Sequence, residues 1–228
     1  MAMFQFKPGV GTVIPNKSIK QEELQGTVTA LKPGPSWLFE SSFPFDQAAI
    51  ISKCENYAKN SPTFNQFNDQ LEVGNAGSTA GNFENMPHTW PELRDFLGYA
   101  TECARKILES WKFVYDDIGI NRSWINRHQK GGWTNWHAHH HADLVLVAYL
   151  KAPPNSGNLV LADPMEYHWS GMPVDLSNNH GRSFIIKTET NKIVFMAPFI
   201  RHSTETNNSD EDRWVLSVNF KTKIKEGK

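Results

Sequence analysis

The sequence predicts an α+β fold dominated by antiparallel β-structure, with helices first and strands later. Three observations carry that expectation. From residue 120 onward, short apolar runs alternate with turn residues: "SWINRH", "LVLVAYL", "SGNLVLADP", "SFIIKT", "NKIVFMAP" and "RWVLSVNFK" are separated by "QKGG", "PPNSG", "DLSNNHG" and "TETNNSDED". Six to eight short strands in about 100 residues, with no helix between them, point to an antiparallel sandwich or barrel. Upstream, residues 88–113 repeat apolar side chains every three and four residues, which is the pattern of a long amphipathic helix. The 8 Trp, 14 Phe and 5 Tyr suit a β-dominated core.

The N-terminal elements follow in order. Residues 7–36 are rich in Pro, Gly and Lys and read as one or two short strands joined by an extended arm. "FPFDQAAIISKCENYAKN" offers Asp46 as an N-cap, with Ala49, Ile50, Cys54, Tyr57 and Ala58 at helical spacing behind it. Residues 61–86 are polar and without a period, a loop or lid candidate. Thr89 and Glu92 then stand at capping-box spacing with Pro91 in the first turn. Leu93, Phe96, Leu97, Ala100, Ala104, Ile107, Leu108 and Trp111 form the stripe behind them, and a sheet is its expected partner. The expected organisation is a single domain over 1–228: the arm at 1–36, a helical support region and loop at 37–118, and a strand-built core at 119–228.

Composition bounds the function. With 39% hydrophobic and 21% charged residues the 228-residue chain is an ordinary globular protein. A net charge of −1 removes the general electrostatic case for nucleic acid or an anionic membrane. No apolar run approaches the roughly 20 residues that cross a bilayer. The N-terminal residues lack the apolar core of a secretory signal. Cys54 and Cys103 fall in helix-like segments and read as reduced thiols, so a cytoplasmic location is expected.

Four of the nine histidines stand within residues 137–141, in "GGWTNWHAHHHADLVLVAYL". Imidazole is a frequent ligand of Fe, Zn, Cu and Ni. Residues two apart in a strand point to the same side, so His137 with His139, His139 with His141, and His141 with Asp143 are all possible pairs. A distant strand should complete the site. "IVFMAPFIRHSTETNN" supplies His202, placed in a turn after an apolar strand. Eleven residues later a strand opens at Arg213, and Arg213, Val215, Ser217 and Asn219 share one facing.

"WIN" at 124–126, "GG" at 131–132, "HAH" at 137–139, "GNLVLADP" at 157–164, "FMAPFIRH" at 195–202 and "RWVLSVN" at 213–219 occur in an order that resembles the Fe(II)/2-oxoglutarate-dependent oxygenases. The closest resemblance is to a subgroup found in bacteria and marine phages. It covers roughly residues 120–221 and implies a double-stranded β-helix, the jelly-roll or cupin-like fold, with N-terminal helices packed on one sheet. It also implies Fe(II) as metal, 2-oxoglutarate as cosubstrate, and His137, His139 and His202 as ligands. His139 stands where most of these oxygenases carry Asp or Glu. Asp143 is the reserve ligand, because "HxHxxxD" also resembles a cupin pattern. By the same resemblance Arg213 anchors the far carboxylate of 2-oxoglutarate, as a guanidinium suits a carboxylate. Ser217 and Tyr149 add hydroxyl contacts, and Val215 replaces a serine of the family pattern. The implied reaction hydroxylates a small molecule or peptide while 2-oxoglutarate is decarboxylated to succinate. Two other readings stand beside it: a cupin-type metalloenzyme without 2-oxoglutarate, and a non-enzymatic jelly-roll binding or structural module. Of the remaining candidates, His168 and His180 sit in a loop that could line an entrance, and His128 supports its strand. Trp133 and Trp136 flank the site and either wall it from water or belong to the aromatic core.

Overall fold

The computed structural model describes residues 4–6, 13–15, 37–60, 64, 71–164 and 183–224. The chain divides into two compact units, Met1–Pro35 and Ser36–Lys228. In the first, β1 (Phe4–Phe6) pairs antiparallel with β2 (Val13–Pro15). The second unit contains β3 (Leu38–Ser42), α1 (Gln47–Asn60), β4 (Glu72–Val73), β5 (Ala76–Ser78) and α2 (Arg94–Ser110). It continues with β6 (Asp117–His128), β7 (Trp133–Thr134), β8 (Leu144–Lys151), β9 (Leu159–Ala162) and β10 (Ser183–Ile186). β11 (Lys192–Met196), β12 (His202–Thr204) and β13 (Arg213–Lys223) complete it. No helix among the described residues is long and apolar enough to cross a membrane.

Asp46 caps α1 as expected: its Oδ1 accepts the Ala49 N–H at 3.1 Å, satisfying one of the orphan donors of the first turn. The helix buries Ile50, Cys54, Tyr57 and Ala58, whereas Ala49 is exposed. α2 begins later than the capping-box spacing predicts. Two 3₁₀ turns, Pro87–Thr89 and Pro91–Leu93, precede it, and the Thr89 hydroxyl donates to the Met86 carbonyl at 2.8 Å instead of capping. Each proline opens its turn, where its fixed φ is accommodated and its missing N–H is not needed. Beyond that start, Phe96, Leu97, Ala100, Ala104, Ile107 and Leu108 are buried, as the stripe requires. Cys54 and Cys103 are both free, and burial pushes the Cys54 thiol up to about 12, which keeps it protonated and unreactive.

A six-stranded antiparallel sheet, ordered β3-β11-β8-β13-β6-β5, faces a three-stranded sheet, β10-β9-β12. β8 shows why the sequence there is apolar without alternation. Leu144, Leu146, Ala148 and Leu150 pack in one cluster with α1 and α2, while Val145, Val147 and Tyr149 join Leu159, Leu161, Val194, Met196 and Val215 in a second. Both faces of the strand are covered, so both sets of alternating positions must be apolar. Each such Leu contributes about 1.5–3 kcal/mol by burial. The second cluster lies between the two sheets, and the space beside it holds the histidines.

Several short strands depart from expectation. β5 lies inside the polar stretch 61–86 and pairs with β6 through Ala76↔His128 and Ser78↔Asn126. It lacks an apolar alternation because its centre is Gly77, where a Cβ would fall 2.5 Å from the Phe64 ring. His202 is not in a turn but opens β12, opposite Leu161 of β9. β3 and β5 join the large sheet, so the strand core draws on residues well before 119.

Candidate metal centre

Two backbone segments set the site. His137 N–H donates to the His202 carbonyl at 3.0 Å and His202 N–H returns a bond to the His137 carbonyl at 2.9 Å. His139 N–H donates to the Pro198 carbonyl at 3.0 Å, so residues 137–139 run alongside 198–202. This places one ligand atom each from His137, His139 and His202 within 4.8 Å of one another. Trp124 stacks on His139, with ring centroids 5.5 Å apart and 25° between the planes.

The orientation of each ring is fixed from behind. Nδ1 of His137 donates to the Asn135 carbonyl at 2.9 Å, and Nδ1 of His202 to the Ile200 carbonyl at 3.0 Å. Nδ1 of His139 meets the Asn219 side-chain oxygen at 2.7 Å. Oxygen acceptors of this kind require the proton on Nδ1 and leave a lone pair on each Nε2. Nε2 of His139 is buried without a hydrogen-bond partner among the described residues. Leaving a buried acceptor unpaired costs about 1–3 kcal/mol, which a bound cation relieves. Burial also holds all three rings below the ordinary histidine range. His139 falls to about 4, with desolvation first and the neighbouring His137, Arg122 and His140 adding to it, while Asn219 opposes. Neutral imidazoles are what a metal ion needs. The donor set is three nitrogens that suit Fe(II), without a carboxylate among them.

Other candidate residues fall elsewhere. His140 and His141 are exposed at the rim. Asp143, the reserve carboxylate, is already engaged: its oxygens accept from Lys221 Nζ, Thr222 N and Thr222 Oγ1, each at 2.7 Å, and it stands outside the cluster. The wall against the histidines is Trp124. Trp133 pairs with Val73, and Trp136 is partly exposed beneath Arg201. His168 and His180 lie outside the described residues.

Arg213 is fully buried at the start of β13. Its guanidinium donates to the carbonyls of Ser156, Gly157 and Glu205 and to Thr204 Oγ1, and its Nε to His128 Nδ1 at 3.3 Å. Tyr149 lies across from the adjacent Val215, and Arg213 favours its ionised form, although burial dominates and raises the phenol. The hydroxyls of Tyr149 and Ser156 are buried and without a hydrogen-bond partner among the described residues. Ser217 sits between the two ends of the row, two residues from Asn219 and four from Arg213. His139 thus meets β13 at Asn219, in the middle of the strand, and Arg213 stands at its start with Tyr149 across from the neighbouring Val215.

Sequence reasoning misses Glu72. This buried carboxylate on β4 accepts from His128 Nε2 at 2.9 Å and from Thr134 Oγ1 at 3.1 Å. His128 therefore bridges Glu72 and Arg213, a buried anion and a buried cation linked by one neutral ring; burial, then Arg213, lowers its pKa. Glu72 also lines a cavity of about 450 Å³ that opens onto His137 and His139, together with Arg122, Trp124 and Asn126. That volume is typical of small-molecule sites. A larger cleft of about 670 Å³ lies among the turns at 152–158 and 187–190, away from the histidines.

Residues 122–219 match the family model described as "Putative 2OG-Fe(II) oxygenase". Solved structures share the fold. A prolyl-4-hydroxylase from Pseudomonas putida superposes with a TM-score of 0.58 at 11% identity, over 82% of this chain and 93% of that one. A viral collagen prolyl hydroxylase from Paramecium Bursaria Chlorella virus-1, in complex with 2-oxoglutarate, gives 0.51 at 12% identity, over 81% and 96%. HygX from Streptomyces hygroscopicus, with nickel and 2-oxoglutarate bound, gives 0.50 at 10% identity, over 82% and 83%. No curated protein sequence shows detectable similarity to the chain. The matched segment, the double-stranded β-helix and a histidine cluster fit for iron agree in pointing to an Fe(II)/2-oxoglutarate-dependent oxygenase.

Proposed function

We propose that this chain is an Fe(II)/2-oxoglutarate-dependent oxygenase that hydroxylates a small molecule or short peptide, with His137, His139 and His202 as the iron ligands. The observation that carries the assignment is the convergence of three neutral imidazoles whose Nδ1 atoms are all engaged from behind. When bound, iron and cosubstrate supply the chemistry: O2 is consumed, 2-oxoglutarate leaves as succinate and CO2, and one oxygen atom enters the substrate. The chain supplies positioning. Arg213 holds the far carboxylate of 2-oxoglutarate, exchanging part of its carbonyl contacts for it, and the unpartnered Tyr149 hydroxyl and Ser217 add donors. Trp124 shields the His139 face from water. Two free cysteines support a cytoplasmic location.

The test is titration of 2-oxoglutarate into the anaerobic Fe(II) protein, reading the visible metal-to-ligand charge-transfer band. The expected result is a saturable band, lost in His202→Ala and shifted to about tenfold or higher 2-oxoglutarate concentration in Arg213→Ala. Iron binding without any band in the wild-type protein overturns the 2-oxoglutarate assignment, and absence of iron binding overturns the ligand assignment.

A further inference from the structure

The cavity over the histidines holds a cation without a counterion among the described residues. Arg122, on β6, faces it with Trp124 and Asn126, the positions two and four residues on. Its guanidinium is placed with Cζ 5.0 Å from the Phe83 ring centroid and 5.4 Å from that of Trp124. One of its NH2 groups is tied to the Ala80 carbonyl at 2.6 Å. Trp124 in turn stacks on His139. Phe83, Arg122, Trp124 and His139 therefore form a continuous series, and the two spacings of 5.4 and 5.5 Å put Cζ within about 11 Å of the His139 ring. A guanidinium held between aromatic faces keeps its planar fork in one orientation, with the edge free to receive a bidentate partner.

No acid answers this charge. Arg122 makes no ion pair among the described residues, unlike Arg105 with Asp117 or Arg127 with Asp212. Glu72, the carboxylate in the cavity lining, is engaged by His128 and Thr134. Asn126 directs its oxygen to Ser78 Oγ at 2.7 Å, which leaves its NH2 donors without a partner among the described residues. Around Arg122 the lining thus offers the donors of Arg122 and Asn126, while its carboxylate, Glu72, is already engaged.

We propose that Arg122 is the specificity-determining residue for the oxidised substrate, and that this substrate carries a carboxylate, which Arg122 receives while the rest of the molecule extends toward His137 and His139. The inference rests on the oxygenase reading for the direction of the substrate but not for the charge preference itself. A carboxylate at Arg122 could also belong to 2-oxoglutarate, and the experiment separates the two sources. N-acetylated amino acids and their primary amides serve as matched probes, with binding read by calorimetry on the metal-free protein and on the Zn(II)-loaded protein with 2-oxoglutarate. The charge-transfer titration with Fe(II) and 2-oxoglutarate runs in parallel.

The expected result is that acids bind at least about tenfold tighter than their amides. The advantage collapses in Arg122→Gln and partly returns in Arg122→Lys, while the 2-oxoglutarate midpoint stays within about twofold of wild type. Equal binding of acids and amides, or an acid preference that survives Arg122→Gln, overturns the proposal. A 2-oxoglutarate midpoint raised about tenfold in Arg122→Gln overturns it as well, by giving Arg122 to the cosubstrate. Failure of the band in wild-type protein with the acid preference intact refutes the oxygenase site and leaves the anion site standing.

Discussion

Asn219 decides which nitrogen of His139 faces the other imidazoles. Its oxygen accepts from His139 Nδ1 at 2.7 Å from 80 residues away in the sequence, and nothing else supports that ring by hydrogen bonding among the described residues. Asn219→Leu should lower iron affinity by 10–100-fold, the usual loss when a histidine ligand's outer partner is removed. Asn219→Asp, which keeps an acceptor, should retain it; equilibrium dialysis of Fe(II) under anaerobic conditions measures both. The histidines themselves are legible in the sequence because a His-x-His pair is local and the distal His202 follows an apolar strand. Asn219 is visible there only as a residue sharing its facing with Arg213. Its pairing with His139 is tertiary and leaves no local pattern. Glu72 is hidden for the same reason, since it lies in a stretch without periodicity and acquires its meaning through His128 and Arg213.

The turn between β8 and β9 carries the cradle of Arg213. Gly157 has a φ of +81°, and a Cβ there would meet the Glu205 carbonyl at 2.5 Å and the Thr206 carbonyl at 2.7 Å. Both Gly157 and Glu205 present carbonyls to the guanidinium. Gly157→Ala should therefore destabilise the protein by about 1–3 kcal/mol, read as a lowered urea midpoint. The same variant should weaken 2-oxoglutarate in the charge-transfer titration more than it weakens iron, because the carbonyls of Gly157 and Glu205 hold Arg213, whereas His139 is held by Asn219. Long elements are the ones the sequence declares. β6, β8, β11 and β13 follow their apolar runs, and α2 follows its stripe. β4, β7 and β12 span two or three residues, too few for any period; β4 and β7 form a two-stranded sheet with each other, and β12 is defined by its pairing with β9. The start of α2 is displaced for a different reason: two prolines favour tight turns over the cap that Thr89 and Glu92 suggest.

Across the whole molecule, neutral histidines are buried together. His128, His137, His139 and His202 all sit below the ordinary imidazole range, chiefly through desolvation. Above about pH 7.5 the rings are neutral in folded and unfolded chains alike, and stability is at its full value. As pH falls below that, the unfolded chain takes up protons that the folded one refuses, so stability declines until the folded pKa is reached. For His139 that window runs from 6.5 down to about 4, and it accounts for about 2 kcal/mol between pH 6.5 and 5. Urea unfolding of the metal-free protein should show at least that loss between pH 7 and 5; a flat profile would mean that the rings are solvated.

The reciprocal backbone bonds between His137 and His202 reach further than the fold they close. The separation of these two imidazoles is set by an isolated antiparallel bridge in the backbone, with each rotamer held by its Nδ1 bond. Capture of an ion at that pair consequently demands little loss of chain entropy, and its selectivity among ions of different radius follows from a bite that the main chain holds rigid.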